Sequence, residues 1–260
     1  MGDPALISLR DVHKSFGTTP VLRGVSLEVT AGQTLCIIGE SGCGKTVLLK
    51  HIIGLLRPDR GQVLYDGHDL ATIPEKLLAR VRTHFGMVFQ SGALFDSLTV
   101  AENVAFPLRE HARLGASAVA ERVAGKLSLV GLRGIETKRP AELSGGMQKR
   151  VALARAVALD PEVVLYDEPT TGLDPIMADV INELIIRARD HLKTTSIVVT
   201  HDMTSASKVA DRIVMLHEGE IIIDGTPDAI HRTTDPVVRQ FIEGRAGTHI
   251  AARNHVEDHS

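Results

Sequence analysis

An α/β fold built on a mostly parallel sheet is what this sequence predicts, and three observations carry the prediction. Beyond Glu162, short β-branched runs alternate with helical patterns, as a sheet covered on both faces requires. A glycine-rich turn, Gly39–Thr46, joins an apolar run to a helical one. Between Ser91 and about Leu159, successive stretches show three-four apolar spacing with no strand-like run among them, which predicts an all-helical insertion.

Taken in order, LISLRDVHKSF, VLRGVSLEVT and TLCIIGE read as strands, broken by GTTP and AGQ. After Gly44 the pattern turns helical through KTVLLKHIIGLL and stops at RPDRG. QVLYDGHDL is a strand closing on an Asp-Gly turn, and HFGMVFQ has the apolar character of a buried parallel strand. The insertion, residues 91–159, supplies helices in TVAENVAFPLREHARL, ASAVAERVAGKLSLVGL and MQKRVALARAVAL. Strands return in EVVLYDE, TSIVVTH and DRIVMLHEGEIIIDG, with helical IMADVINELIIRARDHL and MTSASKVAD between them. Residues 1–244 form one expected domain, and the polar, unpatterned segment 245–260 is expected to be disordered or ordered by a partner.

Composition narrows the function. Basic and acidic residues number 29 and 32, a net charge of -3 that argues against a nucleic-acid partner. Cys36 and Cys43 are too few for a disulfide framework and are expected as thiols in a reducing compartment. No signal-peptide pattern opens the chain, and no apolar run nears the ~20 residues of a membrane helix, so a membrane role needs a partner. The twelve histidines show no metal-ligand spacing, and most read as surface.

The chemistry lies at strand ends. In CIIGESGCGKT a buried strand runs into Gly39, Glu40, Ser41, Gly42, Cys43, Gly44, Lys45 and Thr46 with a helix directly after: G-x-x-x-x-G-K-[ST] in its strand–loop–helix setting. Its glycines let backbone N–H groups converge on phosphate, and the helix start adds a positive dipole end. Lys45 then neutralises β- and γ-phosphates, and the Thr46 hydroxyl ligates Mg²⁺. The same helix start is expected to depress the Cys43 thiol pKa. At the end of EVVLYDE, Asp167 suits a Mg²⁺ shell and Glu168 is the candidate general base for an attacking water. Gln90 and His201 follow two other buried strands and point toward the γ-phosphate.

A second anion site appears in LSGG, where Ser144, Gly145 and Gly146 open the last inserted helix. Borne on an insertion between Lys45 and Asp167, it is not expected to reach its own phosphate loop. Two copies arranged head to tail solve this, each capping the nucleotide held by the other.

With these motifs the sequence resembles the nucleotide-binding subunits of ABC transporters, over about residues 6–240. The resemblance implies an ABC ATPase fold, its parallel core joined by an N-terminal antiparallel β subdomain and the helical insertion. It makes LSGGM the signature, Gln90 the Q-loop glutamine (a Mg²⁺ ligand), Asp174 the D-loop aspartate and His201 the switch histidine. Phe16 falls where the family stacks an aromatic on adenine, and Met147 stands where glutamine is usual. A homodimer closing on ATP and reopening on hydrolysis is implied. More narrowly, FQSGALFDSLTVAENVAFPLREHARL and TTDPVVRQFIEG resemble the ATPases of Mla/Mce-type phospholipid transporters. That implies an integral-membrane permease received near Phe89, Leu94, Phe95 and Leu98, MCE-domain and STAS-domain partners, and the cytoplasmic face of the inner membrane. The competing readings are an importer ATPase for amino acids or other polar solutes, then a non-transport ABC protein of DNA repair or translation, then a P-loop kinase or GTPase. The single ATPase half without a heptad run disfavours the second, and LSGG with its insertion disfavours the third.

Overall fold

The structure, a computed structural model, describes residues 5–245. Strands β1 (Ala5–Phe16) and β2 (Thr19–Thr30) form a bulged antiparallel hairpin, followed by β3 (Thr34–Ile38) and helix α1 (Lys45–Ile52). Next come β4 (Arg60–Tyr65), the short β5 (His68–Asp69), α2 (Glu75–Val81) and β6 (Phe85–Val88). Helices α3 (Val100–His111), α4 (Ala116–Leu129) and α5 (Gly145–Ala156) precede β7 (Val163–Asp167), with no strand between β6 and β7. The chain continues through α6 (Pro175–Leu192), β8 (Thr195–Thr200), α7 (Met203–Val209), β9 (Arg212–His217), β10 (Glu220–Gly225), α8 (Pro227–His231) and α9 (Pro236–Ile242).

Two sheets result. One is antiparallel, in the order β2-β1-β4-β5; the other has the order β10-β9-β3-β8-β7-β6, parallel but for β10 at its edge. Alternation along the strands decides what each face meets. Leu35 and Ile37 of β3, Val163 and Leu165 of β7, and Ile197 and Val199 of β8 join the core shared with α1 and the antiparallel sheet. Cys36, Ile38, Val164, Tyr166 and Val198 face the other way, into a core shared with the helices. Both faces are covered, which is why these strands read as unbroken apolar runs.

The helical insertion begins with a local device. Thr99 accepts from the Glu102 N–H at 3.2 Å while the Glu102 carboxylate accepts from the Thr99 N–H at 2.8 Å, a reciprocal cap that starts α3. Asn103, fully buried, accepts from the Phe95 N–H and donates to the carbonyls of Phe95, Leu98 and Thr99 at 2.8–3.3 Å. One amide thereby fixes the turn before α3.

One expectation needs correction, and two details go beyond the sequence reading. The strand seen in HFGMVFQ ends at Val88, leaving Phe89 39% exposed. Helices α2, α8 and α9, of five or seven residues each, were not read from the sequence. Among the histidines, His51 is fully buried; its Nδ1 bonds the Val47 carbonyl at 2.8 Å, and burial holds its pKa below the usual value. The polar segment beyond Arg245 lies outside the described residues.

Candidate functional site

Parallel pairing brings three strand ends together: Ile38 of β3 lies beside Thr200 of β8, and Asp167 of β7 beside Val199. The segments leaving these ends carry the site. Gly39 leaves β3 at φ 150°, and a Cβ there would stand 2.2 Å from the Leu216 carbonyl oxygen, so only glycine lets the loop pass against β9. Glu40, Ser41 and Gly42 are exposed, and Gly44 turns the chain into α1. Lys45 is 6% exposed and lies back along the loop, its Nζ donating to the carbonyls of Gly39 at 2.8 Å and Glu40 at 2.9 Å.

The Thr46 hydroxyl donates to both oxygens of Asp167, at 3.1 and 3.2 Å. Asp167 is buried; that burial and the neighbouring Glu168 raise its pKa against the opposing pull of Thr46 and Lys45. A desolvated carboxylate beside a hydroxyl is a hard-oxygen donor set, and a divalent cation would offset the burial. Among the described residues no group of three or more His, Cys, Asp or Glu converges as a metal cage. The pair therefore fits an ion such as Mg²⁺ that takes its remaining ligands from phosphate and water.

Glu168 adopts φ 49°, unusual for a side-chain-bearing residue, and its N–H bonds the Val199 carbonyl at 2.9 Å. Its carboxylate meets three groups. Oε2 accepts from Thr171 Oγ1 at 3.1 Å and lies 2.8 Å from His201 Nδ1, while Oε1 stands 3.9 Å from Lys45 Nζ. With Glu168 accepting, the proton of a neutral His201 sits on Nδ1.

The remaining sequence candidates lie around this cluster. Gln90 is exposed just past β6, held by its backbone carbonyl, which accepts from Lys149 Nζ at 3.0 Å. Among the described residues its side chain makes no hydrogen bond to Thr46, Asp167 or Glu168. Phe16, at the end of β1, is 50% exposed with the Lys14 ammonium 5.8 Å from its ring centroid. Asp174 caps α6, accepting from the N–H groups of Ile176 and Met177 at 3.0 Å. Ser144 caps α5 by accepting from the Met147 N–H at 3.3 Å, and it and Gly145 are exposed. No hydrogen bond joins Ser144–Gly146 to Gly39–Thr46 among the described residues. Gly146 is buried, and the end of the Met177 side chain lies over it, with Cε 2.4 Å from where a Cβ would stand. Met147 packs into the helical core rather than outward.

One expectation fails. Burial outweighs the nearby Lys45 ammonium and raises the Cys43 thiol pKa, the reverse of activation by a helix start. Two residues were missed, Thr171 on Glu168 and Lys149 on the Gln90 carbonyl. Each lies inside a recognised motif, TTGLD and the signature helix, and that was the available signal.

Comparison with known proteins gives four findings. Residues 22–171 match a family profile described as ABC transporter. The chain is 44% identical over 239 residues to a probable ribonucleotide transport ATP-binding protein, mkl, of Mycobacterium leprae, covering 92% of this chain and 69% of that one. It is 42% identical over 241 residues to the intermembrane phospholipid transport system ATP-binding protein MlaF of Escherichia coli K12, covering 93% and 90%. Among solved structures, the ATP-binding cassette MJ0796, dimeric in a post-hydrolysis state with ADP and Pi, matches with TM-score 0.78 at 32% identity, covering 85% of this chain and 98% of that one.

Proposed function

The chain belongs to the ABC transporter family as an ATP-binding, ATP-hydrolysing subunit, and from that premise we propose that it works as a head-to-tail pair with two shared ATP sites. One observation carries the reading: Lys45, Thr46, Asp167, Glu168 and His201 meet at adjoining strand ends. In this reading, the N–H groups of the Gly39–Gly44 loop and Lys45 Nζ bind β- and γ-phosphate, and Phe16 stacks on adenine. Thr46 and Asp167 hold Mg²⁺, joined by Gln90; when bound, the ion neutralises charge on the phosphates and clamps them. Glu168 takes the proton of the attacking water, while His201 and Thr171 hold its Oε2 in place. Ser144, Gly145 and Gly146 of the second copy close on the γ-phosphate, with Asp174 beside them. The exposed helix start without a bond to its own loop supports this sharing, as does the dimeric state of the solved relative.

Glu168→Gln tests the assignment. It keeps ATP binding, lowers turnover by ~10²–10⁴, and accumulates a closed dimer on sizing columns. Turnover at the unsubstituted rate removes Glu168 from the role.

The work is transport through a separate permease. Phe89, Phe95 and Phe106 are each 39–42% exposed around a groove of about 310 Å³ floored by Phe85 and Met87, a fit for an apolar permease segment. Leu94, by contrast, packs against the helical core. In this reading the permease anchors the chain at the cytoplasmic face of the inner membrane; among the described residues no helix is long and apolar enough to cross a membrane. The relative named for phospholipid transport supports a lipid cargo, with MCE-domain and STAS-domain proteins as further partners. The relative named for ribonucleotide transport favours a second reading, a polar solute. Purifying the complex from detergent-solubilised membranes separates the two: co-purifying phospholipid and an MCE-domain protein support the first, and their absence beside a solute-binding protein supports the second.

A further inference from the structure

His201 is half exposed, with its Nδ1 2.8 Å from Glu168 Oε2. We propose that Asn182 is a positioning residue for hydrolysis, tying the helix that begins at Asp174 to the loop that carries His201 through Ser205 and Asp202. The inference rests on the roles given above to Glu168 and His201.

Asn182 and Ser205 are 3% and 2% exposed. Asn182 Nδ2 donates to Ser205 Oγ at 2.9 Å, and the Ser205 hydroxyl donates onward to Asp202 Oδ2 at 2.6 Å. Asp202 also accepts from the N–H groups of Thr204 and Ser205, at 3.0 and 3.3 Å, while its own N–H donates to Thr200 Oγ1 at 3.0 Å. The residue directly after His201 is thus held from α6, α7 and β8 at once. A cleft of about 370 Å³ lies between Thr170–Leu173 with the first turns of α6 on one side and His201–Ser205 on the other, and Asn182 carries the buried bond across.

Asn182 Oδ1 is buried with no partner among the described residues. An orphaned amide oxygen costs stability that a leucine of similar size would not, so packing alone does not account for asparagine here. The Nδ2 bond to Ser205 does. A shift of the α6 start, which Asp174 caps at the proposed dimer contact, then reaches Asp202, the residue after His201, through one buried and one part-buried hydrogen bond. On the outside of the same helix pair, Lys208 bonds Asp179 at 2.6 Å and Glu183 at 2.7 Å, an exposed contact that holds α6 to α7 without touching the chain of bonds.

Steady-state ATPase kinetics of the full chain, with ATP binding measured separately, test the idea. Ser205→Ala and Asn182→Leu each lower kcat about tenfold with ATP affinity unchanged, the scale expected when a catalytic group is misplaced. The double variant falls no further than the worse single one, because both break the same chain of bonds. Lys208→Ala keeps kcat. If Asn182→Leu does not fold, Ser205→Ala decides alone. An unchanged kcat in Ser205→Ala, additive losses in the double variant, or an equal loss in Lys208→Ala overturns the inference. Glu168→Gln run in parallel separates the two levels: turnover lost there but intact in Ser205→Ala discards only the positioning role, whereas turnover intact in Glu168→Gln discards both.

Discussion

Cys43 shows two local effects in competition. A helix start and the Lys45 ammonium favour thiolate, but burial disfavours any charge there, and burial wins. The thiol is therefore raised above its ordinary 9.0, and its thiolate fraction near neutral pH lies below that of a free cysteine. Maleimide labelling should accordingly lag free cysteine at pH 7 and speed up about tenfold per pH unit up to the raised value, with Cys36 silent because it is fully buried. Labelling at the free-cysteine rate would show that the helix start dominates after all. Asp167 obeys the same rule with a different outcome: its burial makes it a carboxylate that a cation relieves, next to a hydroxyl already aimed at it. Residue by residue, the identities of Lys45, Thr46, Asp167 and Glu168 were legible because each falls at a fixed offset from an apolar strand. Thr171 and Lys149 were not, since a threonine in a turn and a lysine on a helix look like solvated surface until the fold shows what they touch.

Elements carry the next level. The turn before α3 owes its shape to Asn103, whose buried amide accepts from the Phe95 N–H and donates to the carbonyls of Phe95, Leu98 and Thr99, the first and last of which also accept a backbone N–H. Asn103→Leu should lower the melting temperature by several degrees, since the Phe95 N–H and the Leu98 carbonyl lose the bond Asn103 gives them, at ~1–3 kcal/mol each, while the Phe95 and Thr99 carbonyls keep the N–H groups of Leu98 and Asn103. It should also weaken permease pull-down, because Phe95 sits in that turn, its ring tilted against Phe106 at 4.8 Å between centroids with Arg155 over it at 5.6 Å. Unchanged melting and pull-down would mean that the turn is fixed by other contacts. Long elements such as α6 were readable from spacing, and so were the buried strands. The short ones were not: α2 and α9 give two turns of pattern each, and HFGMVFQ continues apolar past the point where β6 stops. Phe89 is apolar for the surface it presents rather than for a strand interior.

At the scale of the whole molecule, the phosphate loop and the signature serine belong to different bodies of the fold, one at a strand end of the parallel sheet and the other at the start of an inserted helix. The shared-site reading predicts complementation. Ser144→Ala and Lys45→Ala homodimers should each lose cooperative hydrolysis, the first with ATP affinity of the monomer preserved. Mixing them should restore activity, since the heterodimer holds one site with both an intact lysine and an intact serine. Subunits that exchange, as followed by fluorescence transfer, without any return of activity would end the shared-site account.

The sequence by itself determined the α/β class, the helical insertion and the identities at the strand ends, because periodicity and glycine spacing are local properties of the chain. Only the tertiary structure decided which residues stand together. Parallel pairing of β3, β8 and β7 places Thr46 on Asp167 and His201 on Glu168 across 121 and 33 residues of chain. Burial, which sets the Cys43 and Asp167 pKa values and hides Asn182 beneath the His201 loop, depends on every element that packs around a group and is written at no single position.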